Sequence, residues 1–212
     1  MNKTLALVAL LTLPIAVYGK TVGTTSIGFD FGEITSDHKN ASSVDGYYWD
    51  FGLNFNISNK DSYGLDLALD FAYSSDVNNE DYVSGLPGTY VSYKYTQFDY
   101  ALRPFIRLSD IIVFAELGSS RIHLYEDDEN SRFKSTSFVP SVGFRFDSNK
   151  IGFTPSVDFL SYGDGIDDGI KFNIPLSYTV SDAFELNLKY SSSDIDPYEL
   201  EYLSVGFDLR FK

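Results

Sequence analysis

The last ten residues, LSVGFDLRFK from Leu203 to Lys212, decide how the chain folds. Leu203, Val205, Phe207, Leu209 and Phe211 are apolar, while Ser204, Gly206, Asp208, Arg210 and Lys212 between them are small, polar or charged. A period of two puts these sets on opposite faces of a β-strand, one apolar and one wet. What covers the apolar face then fixes the class of protein.

The same alternation recurs nine times upstream. Taken at every second residue, the apolar sets run Ile27 to Phe31, Trp49 to Ile57, Leu65 to Tyr73, Phe98 to Ile106, Val113 to Leu117, Phe138 to Phe146, Ile151 to Phe159, Phe172 to Val180 and Phe184 to Tyr190. Seven of the ten sets span nine residues, which is what a tilted strand needs to cross hydrocarbon, about 9–11 residues. Strands of soluble domains are shorter, about five or six. None of the 45 apolar-face positions is charged, although 22% of the chain is. The intervening faces carry Asp30, Asp50, Asp66, Asp70, Asp99, Arg103, Arg107, Glu116, Arg145, Asp158, Lys171, Glu185, Lys189, Asp208 and Arg210.

Composition agrees with strands rather than helices: 18 Phe, 16 Tyr and 1 Trp stand against a single Met in 212 residues. Residues 1–19 read as a signal peptide, with Lys3, an apolar run from Leu5 to Val17, and a small-residue end at Gly19. Residues 20–212 then form one barrel domain. The run is shorter than the ~20 residues of a spanning helix. There is no cysteine, so neither disulfides nor thiolate chemistry can hold the fold. A net charge of −14 argues against nucleic acid as a partner.

Connections alternate in length. Residues 58–62, 109–110, 147–150 and 181–183 are short; 33–46, 74–88, 126–137, 161–169 and 191–201 are long and mostly acidic. In hydrocarbon only helices or closed barrels satisfy every backbone N–H and C=O. A ten-stranded antiparallel transmembrane β-barrel follows, all-β, with short periplasmic turns, long acidic extracellular loops and both termini at the short-turn end. Tyr47, Tyr48, Tyr73, Tyr90, Tyr93, Tyr95, Tyr125, Tyr162, Tyr190 and Tyr202 cluster toward the long loops and are expected at the membrane interface. Pro104, Pro140, Pro155 and Pro175 interrupt the proposed strands, where bulges or weak pairing are expected.

The chain resembles the bacterial outer-membrane β-barrel proteins, in the broad class of small OmpA-like and porin-like barrels of Gram-negative cell envelopes, across essentially all of residues 20–212. That class ends in an assembly signal, which Ser204, Gly206, Leu209 and Phe211 fit, with Lys212 as an extra residue. The resemblance implies insertion by the barrel-assembly machinery and contact with outer-membrane lipid and lipopolysaccharide.

Candidate chemistry is sparse. His38 and His123 read as ordinary loop histidines, with no motif of the omptin-like proteases or membrane deacylases around them. The acidic loops, such as 126–129, 164–169 and 194–201, could bridge divalent cations, although a solvated acidic surface explains them too. Lumen-lining candidates are Asp66, Asp70, Asp99, Arg103, Arg107, Glu116, Arg145, Asp158, Lys189, Asp208 and Arg210. Small barrels are filled by such side chains, and wide ones conduct. The expectation is a monomeric, non-enzymatic barrel with no cofactor or metal, a largely filled lumen and a structural or surface-interaction role. A narrow porin is the alternative, and a soluble secreted barrel that binds a ligand is the less favoured one.

Overall fold

A computed structural model describes residues 22–38, 41–79, 91–126, 132–161, 169–195 and 198–211. The strands are β1 Thr25–His38, β2 Ala41–Asn59, β3 Tyr63–Asn79, β4 Val91–Leu108, β5 Ile111–Glu126, β6 Arg132–Ser148, β7 in two pieces, Ile151–Phe153 and Ser156–Leu160, β8 Gly169–Ser181, β9 Phe184–Ile195 and β10 Tyr198–Phe211. Each pairs antiparallel with the next, and β10 closes on β1 from Thr25 opposite Phe211 to His38 opposite Tyr198. The predicted ten-stranded closed barrel is therefore the observed one. The predicted signal peptide lies outside the described residues.

The register can be followed around the ring. Phe207, Phe29, Phe51, Phe71 and Phe98 are direct cross-strand partners, continuing to Arg121 and Thr136. In the other direction Phe207 leads through Leu186, Tyr178 and Ile151 to Ser148. The two paths meet on β6 twelve residues apart, at Thr136 and Ser148. With a rise of about 3.3 Å per residue and strands about 4.8 Å apart, a shear of this size on ten strands tilts them by about 40°.

Outward positions are apolar and exposed: Phe51, Phe71, Phe98, Leu117, Val142, Phe172, Leu188 and Val205 each leave about half of their surface uncovered. Along the described strands the outward rows reach a charge only near the long-loop end, at Glu33, Arg121 and Glu201, while at the short turns Lys150 lies 5.8 Å over the outward Tyr178 ring. The phenylalanine row crosses five strands, with Phe29 and Phe207 ring centroids 6.1 Å apart. Above it Trp49 packs 4.5 Å from Phe31, which stacks 5.8 Å from Tyr47. This wall is the apolar face that LSVGFDLRFK implied.

Two expectations need correction. The strands outrun the lipid band: β1 continues to His38 and β2 begins at Ala41, so most of the 33–46 "loop" is paired ladder, as are the ends of the 74–88, 126–137 and 191–201 segments. Hydrocarbon imposes the alternating apolar face, whereas pairing of Thr, Val, Tyr and Ser needs no hydrocarbon, so the ladder outlasts the pattern. Second, the seventh strand, read as one set from Ile151 to Phe159, is in two pieces, and its break falls at Pro155, where weak pairing is expected. Thr154 lies opposite Pro175 and donates to its carbonyl at 3.1 Å, while the Pro155 carbonyl accepts from Phe144 N at 3.1 Å. The ladder thus survives the prolines through their carbonyls, with β7 broken between its pieces. Pro104 has a similar effect, since the β4–β5 pairing skips from Leu102 opposite Leu117 to Phe105 opposite Phe114.

At the short-turn end, Ser109 and Asn149 have φ of 57° and 55°. Each is the first residue of a two-residue hairpin turn, where type II′ geometry requires positive φ.

Candidate functional site: the lumen

The inward faces converge on a filled interior arranged in three layers. Nearest the short turns is an apolar floor of Val22, Phe105, Ile112 and Phe114. Val22 precedes the first strand, and its segment enters the barrel mouth. Gly23 N donates to Asp66 Oδ2 at 2.7 Å, Asn54 Nδ2 donates to Thr24 O at 2.6 Å, and Asn59 Nδ2 donates to Gly23 O at 3.0 Å. Asp66 also accepts from Asn56 Nδ2 at 2.7 Å. The N-terminal segment of the described chain therefore plugs one mouth.

Above the floor lies a polar belt. Arg103 Nε donates to Glu116 Oε1, both side chains being about 1% exposed, and Arg103 Nη1 reaches Asn54 Oδ1 at 3.4 Å. The Arg103 guanidinium also covers the Phe114 ring, 5.5 Å from its centroid. Lys189 Nζ donates to Asp30 Oδ2, and Asp208 and Asp50 also act on it electrostatically. Lys171 is surrounded by Asp158, Asp99 and Asp50 and sits 5.0 Å over the Tyr202 ring. Asn173 Nδ2 donates to Asp158 Oδ2 at 2.8 Å, Asn187 Nδ2 to Asp208 Oδ2 at 2.9 Å, and Gln97 Nε2 to Asp99 Oδ2 at 2.6 Å. Toward the turns, Arg145 binds Asp147 at 2.7 Å and Glu185 at 3.3 Å, and Arg210 shares Glu185.

Small residues make room for these groups. A Cβ at Gly206 would collide with Asp30 Oδ1, and one at Gly28 with Asp208 Oδ1. The void left between Ser26, Gly28, Asp30, Asp50, Gly52, Asn54, Lys189 and Asp208 is about 10 Å³, room for roughly one water. Toward the long loops Tyr48 and Tyr202 meet edge to face at 6.2 Å, and Ile34, Val139 and Leu160 are buried at the same end. Ser74, opposite Tyr48, and Ser191, opposite Tyr202, are buried with them, so the layer above the belt is one of tyrosine and serine with these apolar groups.

Of the residues named from sequence, Asp66, Asp70, Asp99, Arg103, Glu116, Arg145, Asp158, Lys189 and Asp208 are buried in this interior, and Arg210 is part-buried at its edge. Arg107 belongs to the mouth instead, where Nη2 donates to Asn59 at 2.9 Å and the guanidinium lies over Phe105. Ser204 and Gly206 face inward, Leu209 and Phe211 outward. Tyr48 and Tyr202 are corrected: they point inward, 1% and 3% exposed, because each sits one residue out of phase with its strand's outward row. Tyr47, Tyr73 and Tyr190 do face outward. Side chains of Tyr90, Tyr93, Tyr95, Tyr125, Tyr162, His38, His123, the acidic loop runs and Lys212 lie outside the described residues. Among the described residues no three His, Cys, Asp or Glu are placed to hold a metal. The floor and plug escaped sequence reasoning. Phe105, Ile112 and Phe114 are legible as apolar residues on the wet face, but Val22 carries no periodic signal.

A closed ten-stranded ring, an exposed apolar wall and a charged interior are the decisive geometry. Its fold is that of the outer-membrane β-barrels. The translocator domain of the autotransporter NalP from Neisseria meningitidis superposes with a TM-score of 0.59 at 10% identity, over 99% of this chain and 97% of that one. The transport unit of the autotransporter AIDA-I from Escherichia coli gives 0.56 at 8%, over 99% and 97%. The beta domain of the Bordetella autotransporter Brka gives 0.54 at 13%, over 89% and 100%. These identities support the fold alone. No protein-family model matches the barrel, and no curated protein matches it in sequence.

The Arg103–Glu116 pair gives a stability test. Arg103→Met strands a carboxylate in the interior and should cost about 3–5 kcal/mol in urea titrations of the vesicle-embedded barrel. Arg103→Met combined with Glu116→Leu should recover most of that loss. Equal losses in the single and double variants would contradict the pairing.

Proposed function

We propose that this barrel has a structural or surface-interaction role in the outer membrane and does not act as an open pore or an enzyme. One observation carries the reading: the polar belt is filled by buried charged side chains, between an apolar floor and the layer that holds Tyr48 and Tyr202. Ten strands give a ring whose interior side chains can close it, unlike the aqueous channels of 16 or more strands. The wall is matched to hydrocarbon, so membrane lipid and lipopolysaccharide are its surroundings. The monomer suffices, because the ring leaves no strand edge to pair with another chain.

The final strand supplies the assembly element. Leu209 and Phe211 lie outward near the short-turn end, accessible to the barrel-assembly machinery, while Gly206 has a separate duty beside Asp30. Phe211→Ala should lower the membrane-inserted fraction in cells yet leave detergent refolding of the purified chain unchanged. An equal defect in both would assign Phe211 to stability instead.

Planar bilayers test the lumen directly. After verified insertion the barrel should show no discrete conductance steps, and any residual leak should favour cations, since nine buried carboxylates face five basic side chains, Arg210 included. Stable, ohmic open-channel steps would overturn the filled-lumen reading in favour of a narrow porin.

A further inference from the structure

Among the described residues, one of the interruptions of the ladder opens the wall at a seam. β6 and the second piece of β7 pair through Gly143 opposite Ser156, Val142 opposite Val157 and Ser141 opposite Asp158, and then meet again only at Phe138 opposite Ser161. In that register Pro140 faces Phe159. A proline has no N–H to give to the facing strand, so the wall parts there. On the far side, Phe159 and Leu160 pair with Ile170 and Gly169, where β8 begins.

The result is a groove of about 330 Å³ lined by Phe138, Pro140, Phe159, Leu160, Ser161, Gly169 and Ile170. Its edges belong to the outward surface: Phe138 is 55% exposed, Phe159 45% and Ile170 43%. Its depth does not, since Leu160 is an inward residue only 2% exposed. The groove therefore cuts into the thickness of the wall. Phe138 stands ten residues from Ser148, the end of its strand at the short turn. At about 3.3 Å per residue and a tilt of about 40°, this is roughly 25 Å above the turns. That height is the far edge of an apolar band about 25 Å tall, on the long-loop side.

Resting on the outer-membrane reading above, we propose that this groove, which lies on the long-loop side where lipopolysaccharide forms the outward leaflet, binds one acyl chain of lipid A. The occupant follows from three features of the site. The groove is continuous with the lipid-facing wall, so hydrocarbon is what reaches it. Its lining is apolar apart from Ser161 and the backbone, which suits methylene groups and excludes a charged ligand. Its volume falls in the range that holds small organic ligands, about 300–1,000 Å³. A seated chain also fills the place where the ladder is missing, and so keeps water from the backbone groups beside Pro140, a need that is acute at membrane depth. Ser161, at the rim, is placed toward the headgroup side.

Retention of lipid tests this. The barrel is reconstituted in vesicles of phosphatidylethanolamine, phosphatidylglycerol and lipid A, extracted into a non-ionic detergent and weighed by native mass spectrometry. The wild-type barrel should keep one lipid A where bulk boundary lipid has been stripped. Gly169→Phe, which fills the groove, and Pro140→Val, which restores an N–H to the seam, should each lose it; Phe51→Ala, on the opposite wall, should keep it. Heat-modifiable gel mobility establishes that each variant is folded, and Gly169→Phe decides the matter if Pro140→Val does not fold. A wild-type barrel with no retained lipid A, an adduct with the mass of a phospholipid or a free fatty acid in its place, or equal retention by folded Gly169→Phe would overturn the assignment.

Discussion

Backbone hydrogen bonding inside hydrocarbon is the constraint on which everything else depends. An N–H or C=O facing lipid without a partner costs several kcal/mol, so a sheet that crosses the membrane must close on itself. Here closure runs through β10 and β1, paired from Thr25 and Phe211 at one end to His38 and Tyr198 at the other. Closing ten strands with a twelve-residue displacement fixes the tilt. The tilt in turn sets how many residues a crossing takes, about 9–11. The prolines show how tightly the constraint binds: Pro155 and Pro175 stay in the wall because their carbonyls accept from Phe144 and Thr154.

Closure also creates the lumen and its electrostatic problem. Asp30 faces Asp50 and Asp70 faces Asp99 directly across neighbouring strands, a like-charge arrangement that is unfavourable alone. Lys189 and Lys171 answer it from β9 and β8 by placing ammonium groups among these carboxylates. Lys189 reaches from β9 past β10 to Asp30 on β1, while Gly28, Gly52 and Gly206 leave space beside that pair. A filled interior is thus a consequence of which strands carry long cations and which carry none. The apolar floor around Val22 lies below the belt and the Tyr48–Tyr202 pair above it.

Much of this was legible in the sequence, because a period of two maps one residue set onto lipid and the other onto the interior. The outward row from Leu203 to Phe211 and the inward placement of Arg103, Glu116 and Lys189 follow from parity alone. Where parity was set aside, the reading failed: Tyr48 and Tyr202 were grouped with interfacial aromatics by residue type, although their positions on β2 and β10 place them inside. Features that depend on long-range register could not be read. Pairing of Arg103 with Glu116, the collision that keeps Gly206 a glycine beside Asp30, and the seam where Pro140 meets Phe159 all need two strands to be aligned first. The extension of β1 and β2 beyond the lipid band was hidden for another reason, since the apolar pattern ends where the hydrocarbon does while the ladder continues.

The account stands or falls on lipid covering the outward face. Nitroxide labels at Val205, Phe207 and Leu209, in vesicle-reconstituted protein, report that contact through collisions with oxygen, which partitions into hydrocarbon, and with a water-soluble nickel chelate, which does not. All three labels should collide readily with oxygen and poorly with the chelate. Ready collision of all three with the chelate would place this face in water and contradict the account.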